Sequence, residues 1–175
     1  MPDSKIVYFR EVQRFNQIWI RLLILSISGF FWYWFGTQVL LGKPLGKEPV
    51  SDIIVVIFWL IFGIGFPILF FSTKLITEVR ADALYIRFYP FHFSFEKFPY
   101  ERIKKFKVVT YHPIKEYGGW GIRYGKHGKA YNIRGNRGVQ IEFIDGKQLL
   151  IGSQRPEEFA SSLEAVSGKE REINL

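Results

Sequence analysis

The sequence predicts an α+β protein: an N-terminal transmembrane helical hairpin followed by a bent β-barrel of about seven antiparallel strands with a C-terminal helix. Three observations carry that prediction. Residues Leu22 to Gly42 and Ile53 to Thr73 are two 21-residue stretches without a charged side chain. Beyond Thr73, apolar and polar residues alternate with the period of two that marks half-buried strands. From Pro156 onward the spacing lengthens to that of a helix, with Phe159, Leu163 and Val166 on one face.

At 1.5 Å rise per residue, 21 helical residues cover about 31 Å, close to the roughly 30 Å hydrocarbon core of a bilayer. Whole-chain composition hides this, because 23% charged residues looks globular. An apolar first 73 residues carry a net charge of +2, and a polar remainder carries +6 of the total +8. The first stretch is too long for the apolar core of a cleaved signal peptide and no small-residue cleavage pattern follows it. The expected organisation is therefore residues 1–73 as a juxtamembrane segment and two spans, about 18–42 and 53–73, and residues 74–175 as one further domain. The chain has no cysteine, which fits a reducing compartment and leaves no disulfide framework or thiolate metal site.

Ahead of the first span, Tyr8, Val12 and Phe15 fit one helical face, extending the first helix or lying along the membrane surface; a plain positive flank is the other reading. Within the span, Ser26, Gly29 and Gly36 place small residues on one side, where a neighbouring helix can approach closely, most simply the second span. Trp32, Tyr33 and Trp34 sit at the centre of the stretch, where an aromatic belt does not belong. They move the membrane-covered part toward Ile18 to Phe35, with Arg21 snorkelling to the surface. The connecting loop, Lys43 to Asp52, holds two prolines and a glycine and reads as a compact turn. In the second span Pro67 has no N–H for the carbonyl of Gly63, which predicts a kink there. Lys5, Arg10, Arg14 and Arg21 before the spans and Lys74, Arg80 and Arg87 after them outnumber Lys43 and Lys47 between them. The positive-inside rule then puts both termini in the cytoplasm, in the cell membrane of the host.

The second domain reads as strands in sequence. Leu75 to Arg80 and Leu84 to Tyr89 alternate around an Ala81-Asp82-Ala83 turn, and Phe91, Phe93 and Phe95 alternate after Pro90. Ile103, Phe106 and Val108-Val109 follow, then Gly119 to Tyr124, Lys129 to Ile133, Gly138 to Ile144 and Gln148 to Gly152. The last two are joined by Asp145-Gly146, a strong hairpin signal. Pro156 suits a first helical turn, Glu157 and Glu158 favour its positive end, and Gly168 stops the helix.

The order of these elements, with Tyr111-His112-Pro113-Ile114, Gly118-Gly119-Trp120-Gly121-Ile122-Arg123, Gly138-Val139-Gln140-Ile141 and Phe9-Arg10-Glu11-Val12-Gln13, resembles prokaryotic membrane proteins that carry a pleckstrin-homology-like domain after a two-helix anchor. The resemblance implies the bent barrel and C-terminal helix, and it supplies no catalytic residues. The clustered basic residues by which eukaryotic relatives bind phosphoinositides in the first hairpin are absent from Lys74 to Phe88.

One segment is chemically suggestive. Arg102 to Arg137 holds ten Lys or Arg and a single acid, Glu116, with aromatic residues interleaved. A basic face pressed on anionic headgroups is the expectation, where each surface Lys or Arg is worth about 1 kcal/mol. The candidate contacts are Lys104, Lys105, Arg123, Lys126, Arg134, Arg137 and Trp120; a solvated face is the bland alternative. Nucleic acid is disfavoured, since no readable motif of such modules is present. His92, His112 and His127 match no compact metal-ligand spacing and read as surface or turn residues. Gly118-Gly119-Trp120-Gly121 lacks the ending of a phosphate loop. The sequence thus points to no catalytic, cofactor or metal site. It points to a non-enzymatic membrane protein that binds a protein partner or the anionic membrane surface, or alternatively to a subunit of a membrane complex, or a homo-oligomer, whose helical hairpin is the working part.

Overall fold

The structure is a computed structural model that describes residues 6–46, 50–125, 128–169 and 171–172. Contacts divide the chain into two units, Phe15–Thr73, and Met1–Arg14 with Lys74–Leu175.

In the first unit, helix α1 (Ile18–Phe35) continues into a π-helical turn, Gly36–Leu40. The returning run is α2 (Asp52–Phe58), a π-helical stretch Trp59–Gly65, and α3 (Phe66–Ser72). Both runs, Ile18–Leu40 and Asp52–Ser72, are long and apolar enough to cross a membrane. They meet through aromatic rings: Phe31 stacks on Phe62 at 5.0 Å, Phe35 on Trp59 at 4.2 Å, and Trp32 meets Trp59 edge-on at 5.0 Å. The contact face is therefore Ile24, Ser28, Phe31 and Phe35. The expected small-residue contact against the second helix is not made: Ser26 and Gly29 are exposed, and nothing lies within 4 Å of a Cβ built on Gly29 or Gly36. Large rings bury more apolar area than a close backbone approach would, and they set the helix rotation.

Pro67 disturbs the helix as its chemistry requires. The carbonyl of Gly63 loses the i+4 donor, and two side chains of α1 replace it. Ser28 Oγ donates to Gly63 O at 2.8 Å and Trp32 Nε1 at 3.2 Å. At the other end, Gln38 is buried, donating to Val50 O at 2.6 Å and Asp52 Oδ1 at 2.9 Å while accepting from Trp34 Nε1 at 3.1 Å. Trp32 and Trp34 are thus mid-stretch because they bond within the hairpin. Replacing both donors, Ser28→Ala with Trp32→Phe, is expected to weaken the helix pair by about 1–2 kcal/mol, the range for interhelical hydrogen bonds in lipid. Detergent-induced unfolding measures it; an unmoved midpoint would show that the carbonyl needs neither donor.

The second unit contains two sheets. The first has the order β1-β2-β3-β4, from β1 (Val7–Arg14), β2 (Lys74–Arg80), β3 (Ala83–Tyr89) and β4 (Glu96–Pro99). The second is built from β5 (Ile103–Thr110), β6 (Gly121–Gly125), β7 (Gly128–Asn132), β8 (Arg137–Phe143) and β9 (Gln148–Gly152), in the order β5-β8-β9-β7-β6. Its β7–β9 pairing is parallel; the other pairings are antiparallel. Short helix α4 (Pro113–Tyr117) lies between β5 and β6, and α5 (Pro156–Ser167) closes the unit as expected, with Gly168 in the left-handed conformation at φ 64°. Phe159 and Leu163 of α5 are fully buried with Leu75, Ile86, Phe106, Ile141 and Ile151. Burial of such side chains contributes roughly 1.5–3 kcal/mol each.

The sheets are open and separate, so the expected bent antiparallel barrel of about seven strands is corrected to nine strands in two sheets among the described residues. A second correction concerns Val7–Arg14, expected as a helical extension or a plain flank. It is a strand paired with β2, with Arg14 opposite Lys74 and Glu11 opposite Thr77. Its pattern misleads because polarity is inverted: Glu11 and Gln13 are buried at 7% and 3% exposure while Tyr8 and Val12 are exposed. The helical hairpin is consequently inserted, along the chain, between two adjacent strands of one sheet. Phe91 to Phe95 is a loop rather than a strand; the strand begins at Glu96.

Candidate functional site

The ten basic residues of Arg102 to Arg137 do not form one positive face, because acids from outside the segment fold onto them. On β5, Lys104 meets Glu142 at 2.6 Å, Lys105 meets Glu172 at 3.3 Å and Glu142 at 3.6 Å, and Lys107 meets Glu172 at 3.7 Å. The hydrogen bond from Lys104 holds the Glu142 carboxyl below its ordinary range, and Glu172 raises Lys105. Lys129 meets Glu96 at 3.4 Å, Arg102 meets Asp145 at 3.8 Å, and Arg137 pairs with Glu157. Exposed pairs such as these add little stability, but they cancel charge locally. Lys5, Lys47, Lys126 and His127 lie outside the described residues.

Of the sequence candidates, Trp120, Arg123 and Arg134 are brought together. Gly118 at φ 71° ends α4 in the left-handed region and turns the chain into β6, the edge strand. Trp120 Nε1 donates across to Gly135 O at 3.1 Å, and Arg123 Nε donates to Trp120 O at 3.0 Å. That places an indole between the turn before β6 and the Arg134-Gly135 turn. Arg123 and Tyr124 are exposed on the edge, and Arg123, Arg134 and Lys115 have no carboxylate partner among the described residues. Lys104, Lys105 and Arg137 belong to the paired sets described above and not to this corner.

A groove of about 310 Å³ lies on the outer side of β5 and β8, lined by Lys105, Lys107, Tyr111, Tyr117, Gln140 and Glu172 among others. Burial pushes the hydroxyls of Tyr111 and Tyr117 up to about 12, so both are neutral at physiological pH. Among the described residues, no three His, Asp or Glu side chains are grouped to hold a metal ion.

Residues 1–168 match the model of a family of unknown function, DUF6141. The chain belongs to that family. No curated protein and no solved structure matches this DUF6141 member. Its resemblance to pleckstrin-homology-like membrane proteins therefore rests on the residues that suggested it.

A cluster that sequence spacing missed in this DUF6141 chain joins the loop after β3 to β7. Tyr131 donates to Glu96 Oε2 at 2.7 Å, and His92 Nε2 lies 3.4 Å from Glu96 Oε1. The His92 ring stands edge-on to Tyr131 at 5.4 Å, and its Nδ1 accepts the Phe88 N–H at 3.3 Å. His92 thus lies in the loop that follows the turn, as the turn reading expects, but is half-buried rather than at the surface. Burial lowers the His92 pKa from 6.5, Glu96 opposes, and Lys129 adds to the lowering. The unfolded chain then binds the proton at a higher pH than the folded one. Stability is expected to fall as pH drops through 6.5 toward the folded value. Urea unfolding at stepped pH, with and without His92→Gln, measures this; an equal slope in the variant would assign it elsewhere.

Proposed function

We propose that the protein is a non-enzymatic, membrane-anchored binding module. Its hairpin spans the membrane, both termini are cytoplasmic, and its two-sheet unit recognises anionic groups, on lipid headgroups or an acidic protein partner, at the cytoplasmic face. The observation that carries the anchor is the hairpin's surface: only 11% of the most apolar window of each helical run is buried, and Leu22, Leu25, Phe30, Ile53, Ile57 and Ile68 face outward. The core helix of a soluble protein would hide such residues. The charge bias of the flanks supports the orientation. A pleckstrin-homology-like reading of the two-sheet unit is supported in outline by α5, which packs against β1 and β2 of one sheet and β5 and β8 of the other.

The recognition surface of this reading is the corner of Trp120, Arg123 and the Arg134-Gly135 turn, where neither Arg has a carboxylate partner among the described residues. Arg123→Ala with Arg134→Ala is expected to lower salt-sensitive association of the two-sheet unit with anionic vesicles by tenfold or more, at about 1 kcal/mol for each Arg near the surface. Lys104→Ala, already paired with Glu142, is expected to change it little. Equal loss from both would assign binding to diffuse charge; no loss from either would remove the lipid arm and leave the acidic partner, tested by the same variants in affinity capture from native membranes.

A second reading, a subunit of a membrane complex, is favoured by one observation: Ser26, Gly29 and Gly36 are left uncovered by the second helix. Cysteine crosslinking at Ser26 is expected to trap a neighbouring chain if that face is used, and a strictly monomeric product would exclude it.

A further inference from the structure

We propose that the loop between β3 and β4 is a third point of membrane attachment, with Phe91 and Phe93 seated in the interfacial layer of the bilayer. The proposal rests on the spanning reading of the hairpin given above.

The register of the first sheet carries it. Lys74 pairs with Arg14 on one side and with Tyr89 on the other. The chain enters the hairpin one residue after Arg14 and leaves it one residue before Lys74. Those three residues therefore mark the end of the sheet from which both connections to the hairpin depart. The β3–β4 loop departs from that same end, immediately after Tyr89. The opposite end of the β2–β3 pair, where β2 ends at Arg80 before the Ala81-Asp82 turn, is six strand rises from Lys74, about 20 Å away.

The loop's composition fits an interface and not bulk water. Phe93 is 94% exposed and Phe91 58%, with one side of the Phe91 ring tilted against buried Phe88 at 6.0 Å, while the neighbouring Phe95 lies under Arg80. A ring as exposed as Phe93, on a loop otherwise pinned at His92 and Glu96, has no packing partner among the described residues of its own unit. The cations at this end face the same way in composition: Lys74 lies 5.3 Å and Arg87 5.4 Å from the Tyr89 ring, and Arg14 is exposed. Exposed aromatic rings with adjoining Lys and Arg are the residue types that partition to the headgroup level, the rings into the acyl boundary and the cations toward phosphate. Because the loop is held by the His92 N–H bond to Phe88 O, the Arg87 bond to His92 O and the Tyr131 bond to Glu96, the two rings are presented on a fixed support, with less ordering to lose on insertion.

The chain lacks cysteine, so single sites can be labelled in the full protein reconstituted in vesicles of mixed zwitterionic and anionic lipid. Ser94→Cys, adjacent to both rings, is compared with Ala81→Cys and with Leu23→Cys in the hairpin. Each carries an environment-sensitive fluorophore and is read with aqueous iodide and with a lipid-borne quencher. At position 94 the expected result is strong lipid quenching and several-fold less iodide quenching than at position 81. In a Phe91→Ser, Phe93→Ser background that protection is expected to disappear. Iodide access at 94 equal to that at 81, protection from both quenchers (which would mean a protein covers the loop), or protection that survives removal of the rings would each overturn the proposal. Position 23 separates this from the reading beneath it: lipid quenching there with an aqueous position 94 overturns the loop alone, whereas iodide access at 23 overturns the spanning hairpin and the proposal with it.

Discussion

Replacing Phe15–Thr73 with the dipeptide Asn-Gly is expected to give a folded two-sheet unit that needs no detergent. Arg14 and Lys74 are register partners in an antiparallel pair, so the insertion begins and ends at neighbouring residues. A two-residue Asn-Gly connection supplies the positive φ angles of a tight hairpin turn and joins strands of that geometry directly. The replaced segment contains the outward-facing apolar residues of the hairpin, whereas the core around Phe106, Phe159 and Leu163 lies outside it. A monomeric elution profile with strand-rich circular dichroism and cooperative unfolding is the expected readout. Aggregation of the shortened chain would mean that β1 and β2 require the hairpin to pair. Simple truncation to 74–175 is expected to fare worse, because it removes β1 and exposes the inner edge of β2.

The second large effect is expected at Glu11. Its carboxylate is buried on β1 and accepts the Ser153 hydroxyl at 2.6 Å and the Gln154 N–H at 2.8 Å, just ahead of α5. Beside it Gln13 Nε2 donates to Gly152 O at 2.6 Å, and Arg155 lies over the Phe9 ring at 4.9 Å while donating to Arg10 O. These contacts fasten the N-terminal strand to the segment between β9 and α5, more than 130 residues away in the chain. Hydrogen bonds to a charged group contribute roughly 1.5–3 kcal/mol each, and a buried donor left unpaired costs about 1–3 kcal/mol. Glu11→Ala is therefore expected to cost about 3 kcal/mol or more, a large part of a typical domain stability of about 5–15 kcal/mol. Glu11→Gln keeps the shape and one acceptor, so its loss should be intermediate. Urea midpoints of the detergent-free variant give both values; a Glu11→Ala midpoint within error of the parent would show that β1 docks through its pairing with β2 and its Gln13 and Arg10 bonds without the Glu11 carboxylate.

What the sequence made legible follows from where local pattern and tertiary burial agree. The two helical runs, β2, β3, β8, β9 and α5 are legible because their apolar positions keep one period and their boundaries carry turn residues such as Asp82, Pro90, Gly146 and Gly168. Pro67 announced the free carbonyl of Gly63, but the donors Ser28 and Trp32 come from another helix and leave no mark in the spacing. The strand β1 leaves no alternating apolar signal because its inward positions hold Glu11 and Gln13, whose burial makes sense only once Ser153, Gln154 and Gly152 are near. The small-residue face failed for a related reason: Phe31 and Phe35 outweigh glycine in deciding which side of α1 is covered. At the candidate surface, charge counted along Arg102 to Arg137 overstates the patch, since Glu142, Glu157 and Glu172 arrive from later in the chain. The turn-to-turn hydrogen bond that sets Trp120 and Arg123 beside the Arg134-Gly135 turn is invisible to spacing.

In the proposed arrangement the hairpin inserted between β1 and β2 spans the membrane and the two-sheet unit stays on its cytoplasmic side, which fixes the sidedness of two exposed turns. Single cysteines at Lys43, in the inter-helix connection, and at Lys147, in the β8–β9 turn, are labelled with an impermeant thiol reagent in sealed vesicles of known orientation. Labelling of the two positions from opposite sides, position 147 from the cytoplasmic side, is the expected result. Labelling of both from the same side would contradict the account.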